Sequence, residues 1–392
     1  MAIELDEFCT VFFGLDRDRN SITEDEFFDI QEQHLAYGFR QCQNPRDKVY
    51  GLLALIGDIS DLDLWLTPDY SKSANEVFYD TTCAMLYRDT HGLKCLTGAQ
   101  NIFGPDKWAS WVRDFGGSMT QLEGDVGSNR LIIYDLFDSS QGRKAKYEHF
   151  MTWPLLADEK PFQVGLGVAG RCVGNVASVC AVAGGKDSTK SVEERKSIFR
   201  EWADAAQVDF EQSPNRNQYP DATLNFWRTL LGGVMSAGHE SAESSDWRRF
   251  NNETIAWIEN FSSWIQTSKE DLNFALDRTL LIATEGRCYF QAQDGGQGLC
   301  YPSVEAGDEV WVVDGSKLPF ILRRVHLDSD ESTELRSRDA YGVNEDGVYG
   351  LRSDFEPGDA PCTYYSFVGD CYFDGFMDGE AVGDANKSIV LV

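Results

Sequence analysis

The chain has 392 residues, 42% hydrophobic and 12% aromatic, enough apolar material for two or three folded domains and far too much for a disordered protein. Its net charge of −29, from 64 acids against 35 bases, gives a surface that repels phosphate backbones, so nucleic acid is not an expected partner. No stretch reaches the ~18 uncharged apolar residues of a membrane helix, and the opening MAIELDEFCTVFFGLDRDRN has acids where a secretory signal has bases, which points to a soluble, cytoplasmic protein.

The first third, residues 1–125, reads as mainly helical. Overlapping capping boxes at Ser21-x-x-Glu24 and Thr23-x-x-Glu26 predict one helix start, and Ser73-x-x-Glu76 predicts another, followed by Val77, Phe78, Met85 and Leu86 on a helical period. Between them Pro45 should open the helix PRDKVYGLLAL, because the first turn tolerates a missing N–H, and Gly57-Asp58 marks where that helix can end. Arg46 and Asp47, at the helix start, are expected to pin neighbouring structure rather than to react, as is Asp69-Tyr70-Ser71.

Residues 126–270 read as a mixed β/α region. RLIIYDLF from Arg130 and the stretch Phe162–Val182 look like strands, Ser191-x-x-Glu194 opens a helix, and residues 209–222 form a polar loop. Trp247, Phe250, Trp257, Ile258, Phe261, Trp264 and Ile265 fall at steps of three and four, a core-facing helical stripe. Residues 271–392 read as a small β-barrel-like module: RTLLIAT, EVWVVD, PFILRRV and YYSFVGDCYF are short strands between Gly-rich turns, broken by the acidic loop 328–360. The fold class is therefore α+β.

Motifs for cofactor chemistry are weak. GLGVAG at Gly165–Gly170 matches G-x-G-x-x-G, but no helical period follows it, so it is read as a turn inside a sheet and no NAD is expected. The ten Cys form no C-x-x-C pair and the five His do not fall at ligand spacing with them, so neither metal nor cofactor is expected and the thiols read as buried and reduced. Phe226-Trp227-Arg228 could seal a domain junction or line a pocket. Arg323 and the turn Met377-Asp378-Gly379-Glu380 offer opposite charges, either as a tie across the barrel or as a polar anchor at a pocket mouth.

NPRDKVYGLLAL (44–55), PDYSKSANEVF (68–78), WASWVRDF (108–115), FWRTLLGG (226–233), RTLLIATEGRCYF (278–290), GDEVWVVDGSKLPFILRR (307–324) and VGDCYFDGFMDGEAV (368–382) occur in the order in which a set of blocks resembles the C-terminal region of fungal heterokaryon-incompatibility (HET-domain) proteins. The resemblance implies an α+β chain ending in a barrel-like module, a companion region without the HET effector domain that normally lies upstream. Arg113 stands where relatives show a proline-containing turn, GGQGLCYP replaces the usual Gly-rich segment, and the acidic loop splits LRR from YYSFVG. The retained region carries no established catalytic residues.

Two functions from different classes are compatible with this sequence. One is a cofactor-free cyclase or isomerase of fungal secondary metabolism, a Diels–Alder-type catalyst that folds an apolar terpenoid or polyketide in an aromatic cavity. Its expected site residues are Trp227 and Tyr372 for packing, Arg228 and Arg323 as donors, and Glu380 orienting an arginine. The other is a non-catalytic binding or regulatory protein of heterokaryon incompatibility, docking a protein partner through the acidic loop.

Overall fold

In the computed structural model the chain divides into two units, residues 1–90 with 113–128 and residues 91–112 with 129–392. The structure describes residues 30–53, 66–88, 92–98, 109–145, 148–149, 165–184, 191–208, 221–236, 247–251, 255–267, 272–325, 341–343, 349–351, 363–381 and 387–392. The capping boxes at Ser21 and Thr23, Gly57-Asp58 and the polar loop 209–220 lie outside the described residues. Among the described residues no helix is long and apolar enough to cross a membrane.

The first unit is helical: α1 (Ile30–Tyr37), α2 (Asp47–Leu53), α3 (Ala74–Arg88) and the opening turns of α4 (Gln121–Tyr134). The box ahead of α3 is closed from both sides, Ser73 N–H donating to Glu76 Oε2 (2.6 Å) and Glu76 N–H to Ser73 Oγ (3.3 Å). Arg46 ties the PRDK block to the PDYS block: its guanidinium donates to the carbonyls of Tyr70 (2.5 Å) and Lys72 (2.6 Å), while Tyr70 Oη donates to Asp47 (2.8 Å). That is structural pinning of backbone oxygens.

One sequence expectation fails at α4. RLIIY is not a strand but the last turns of this helix, and the deciding signal lies ten residues upstream. Thr120 and Glu123 form a capping box, Thr120 N–H to Glu123 Oε2 (2.7 Å) and Glu123 N–H to Thr120 Oγ1 (3.2 Å). The two glycines in α4 mask its helical character, and they are there for close packing. A Cβ on Gly124 would stand 2.4 Å from the Leu35 carbonyl oxygen, and one on Gly127 2.6 Å from Leu35 Cδ2. Gly124→Ala should gain about 1 kcal/mol of helix propensity but lose about 1–3 kcal/mol to overpacking against a backbone oxygen that cannot rotate away. A net loss is expected on urea unfolding; a net gain would show that α1 yields at no cost.

The described residues of the second unit combine β-structure with the end of α4 and the helices α5 (Val192–Ala205), α6 (Asp221–Leu230), α7 (Ile255–Gln266) and α8 (Phe274–Thr284). Ser191 and Glu194 cap α5 as the sequence predicts. RTLLIAT is the second correction: it belongs to α8, whose N-cap Asn273 accepts from the amides of Ala275 and Leu276. Gly286, at φ 66° with no atom near its missing Cβ, then lets the chain leave the helix and enter a strand. The Trp stripe holds for Ile258, Phe261, Trp264 and Ile265, all buried on α7. Trp247 is not on that helix, because Trp247–Arg249 pairs as a short antiparallel strand with Val234–Ser236.

In chain order the strands are β1 (Glu148–His149), β2 (Leu166–Ala183), β3 (Val234–Ser236), β4 (Trp247–Arg249), β5 (Arg287–Ala292), β6 (Gln297–Cys300), β7 (Glu309–Val313), β8 (Phe320–Val325), β9 (Tyr341–Val343), β10 (Tyr349–Leu351), β11 (Thr363–Asp370), β12 (Tyr372–Phe373) and β13 (Lys387–Leu391). β2, β13, β11, β8 and β7 close on one another, giving a five-stranded barrel in which only β11 and β13 run parallel. β2 is 18 residues long and serves twice: its first half closes the barrel, and its second half pairs with β5, which continues to β6 and β12. GLGVAG is thus no turn. It runs straight into β2, and a Cβ on Gly170 would lie 2.7 Å from the Val312 carbonyl oxygen, so the glycine serves strand contact. Within the acidic segment 328–360, β9 and β10 form an antiparallel hairpin. Val176, Phe290, Val310, Ile321, Val368 and Phe373 fill the core where these strands meet.

Candidate functional site

Two charges sit inside apolar strands of the second unit. Arg287 opens β5 and Asp370 ends β11, and their side chains, buried from solvent, meet at 2.5 Å, which makes this a fully desolvated ion pair. Tyr134 of α4 donates to Asp370 Oδ2 (3.1 Å) and accepts from Arg287 Nη2 (2.5 Å). Tyr301 donates to Asp370 Oδ1 (3.3 Å) and lies under the guanidinium at 4.8 Å, and the Gly98 amide reaches the same oxygen (2.7 Å). Each carboxylate oxygen therefore has two donors, the condition under which a buried ion is tolerated. Burial opposes the Arg287 charge, but Tyr134, Asp370 and Tyr301 outweigh it and hold its pKa well above the ordinary value. Burial likewise drives the Tyr134 phenol well up.

A second arginine, Arg130, caps α8. Its Nε donates to the Ile282 carbonyl (2.7 Å) and Nη2 to those of Ala283 (3.4 Å) and Glu285 (2.6 Å), carbonyls that the helix leaves unpaired at its C-terminus. Between α4, α8 and the sheet lies a cavity of about 30 Å³, lined by Arg130, Arg287, Tyr134, Tyr372 and apolar side chains.

Of the residues expected from the sequence, Tyr372 lines this cavity and Arg228 lies nearby. Tyr372 Oη donates to Asp374 (3.0 Å), and Arg228 Nη1 is 3.4 Å from the same carboxylate, whose pKa is raised by burial. Trp227, next to Arg228 in sequence, packs edge-on against Phe261 at 4.8 Å and stays in the helical core. Glu380 accepts from the Asp378 amide (2.7 Å) and so shapes its own turn, while Asp378 takes Arg249 as its ion-pair partner. Arg323 does not meet that turn. It is tied to Asp308 (2.8 Å), Glu305 (3.2 Å) and the Ser303 carbonyl (2.9 Å).

The sequence reading missed Arg130, Tyr134, Arg287 and Asp370. A usable signal existed, since GRCYF and YYSFVGDC each carry one charge in an otherwise apolar strand, and charges there are rare unless paired. Among the described residues no group of three or more His, Cys, Asp or Glu is arranged to hold a metal.

The class that fold and site define is an α+β chain whose closed five-stranded barrel adjoins a buried arginine–aspartate–tyrosine lock. No family model and no solved structure matches it. The chain is similar to Heterokaryon incompatibility protein 6, OR allele, of Neurospora crassa, with 23% identity over 398 aligned positions that take in 88% of this chain and 50% of that protein. It spans about half the length of the curated relative it matches.

Proposed function

We propose that this chain is a non-catalytic recognition protein of heterokaryon incompatibility that works through its surface on a protein partner. The observation that carries the reading is the similarity to a heterokaryon incompatibility protein along 88% of the chain. Two features of the site add support. The Asp370 carboxylate spends its oxygens on four internal donors, which suits a structural tie better than proton transfer. The cyclase alternative needs a chamber of several hundred Å³ at its site residues, whereas the cavity that Tyr372 lines offers about 30 Å³, and the pocket of about 480 Å³ in the first unit, lined by polar groups such as Arg40, Gln43, Asp47 and Lys48, contains none of those residues. Arg228, its intended donor, faces Asp374. Docking is assigned to the acidic segment 328–360, whose charge fits a basic partner surface.

A heterokaryon assay tests this. Strains that differ only in the allele of this gene are paired, with a deletion strain as control. Growth of the mixed-allele pairing is expected to fall at least tenfold and to recover when one copy is deleted. Equal growth in every pairing would refute the proposal.

A further inference from the structure

Among the described residues, the most deeply buried charges at the small cavity do not balance. Arg130, Arg287 and Asp370 are all buried, at 8%, 2% and 0% exposure, and they supply two positive charges against one negative. Asp370 neutralises Arg287. Among the described residues the Arg130 guanidinium is hydrogen-bonded to the carbonyls at the end of α8, which carry a partial charge of about one half, and it shares the attraction of Asp370 with Arg287. Among the described residues Arg287 Nε has no hydrogen-bond partner, although it is fully buried, and Arg287 and Arg130 both line the cavity. An unmet N–H on a residue that lines an open space calls for an acceptor, and the buried excess of positive charge favours a negative one.

We infer that this cavity is a binding site for one small monovalent anion of chloride size. A cavity of about 30 Å³ has room for a single halide. Water fits the space less well chemically, because it must place two hydrogens on acceptors. Asp370 already takes four donors, and the Ile282 and Ala283 carbonyls each take one from Arg130, so the acceptors left for a water are few. The hydroxyl protons of Tyr134 and Tyr372 already go to Asp370 and Asp374. A halide needs no acceptor, and the rest of the wall, with Ile133, Phe137, Val234 and Leu299, suits a weakly hydrated ion.

The test uses sodium bromide on the whole protein. Crystals grown in bromide should show an anomalous peak in the cavity that Arg130 and Arg287 line. In solution, bromide replacing gluconate at constant ionic strength should raise Tm saturably by about 2–4 °C. Val234→Ile adds one methyl to the wall and should abolish that rise. Density for water alone, an empty cavity, or a Tm indifferent to halide would overturn the assignment. Should Val234→Ile fail to fold, the bromide density in the unaltered protein decides by itself.

Discussion

Asp370→Ala is expected to destabilise the second unit by about 3–5 kcal/mol, the usual cost of stranding a buried charge. The substitution leaves Arg287 desolvated with only Tyr134 and the Leu299 carbonyl to receive it, and it frees the Tyr301 hydroxyl and the Gly98 amide. Arg287→Met alone should cost a similar amount, because Asp370 then lacks its counter-ion. The double variant should lose markedly less than the sum, since a pair replaced by apolar atoms removes its own desolvation penalty. Urea unfolding of the four proteins gives the coupling energy. Additive losses would mean that the two groups do not act as a unit.

The second large effect is a pH dependence in the first unit. His34 is buried on α1 against the Phe115 ring, with centroids 5.1 Å apart, and burial, with Arg113 and Lys48 close by, lowers its pKa from 6.5 to about 3. The folded form keeps the imidazole neutral, whereas the unfolded chain takes up a proton below its ordinary pKa of about 6.5. Stability is therefore fully present above that pH. It declines by about 1.4 kcal/mol per unit as pH falls toward 3, for a total on the order of 5 kcal/mol. Between pH 7 and pH 5 the native sequence should lose about 2 kcal/mol more than His34→Leu on urea unfolding. Equal losses would show that His34 is charged in the folded state.

How legible all this was depended on where the deciding residue lay. Ser73 and Ser191 stand directly before their helices, and both starts could be read from a four-residue pattern. RLIIY and RTLLIAT are short apolar runs that suit a strand or a buried helix equally well. Their caps, Thr120 and Asn273, lie upstream, behind glycines in one case and a charged turn in the other. Four of the five barrel strands, β2, β7, β8 and β11, were legible as apolar, β-branched runs between turn residues, but β13 was not picked out of its short segment KSIVL. Barrel closure was not, since it depends on one long strand, β2, pairing with β13 on one side and β7 on the other.

The site was less legible than the fold. Tyr372 and Arg228 do converge, but only through Asp374, which no motif marks. Trp227 follows the helical period inward, and a neighbouring arginine in sequence says nothing about which face it takes. The lock joins Arg287 and Asp370 across 83 residues of sequence, and Tyr134 and Gly98 from still farther away. Contacts of that span belong to topology and leave no local spacing to find.

Metabolite profiling of a strain in which this gene is deleted tests most directly whether the molecule acts by surface recognition rather than by enclosing a substrate. An unchanged profile of terpenoids and polyketides is predicted. Accumulation of an uncyclised precursor, reversed when the gene is restored, would contradict the account.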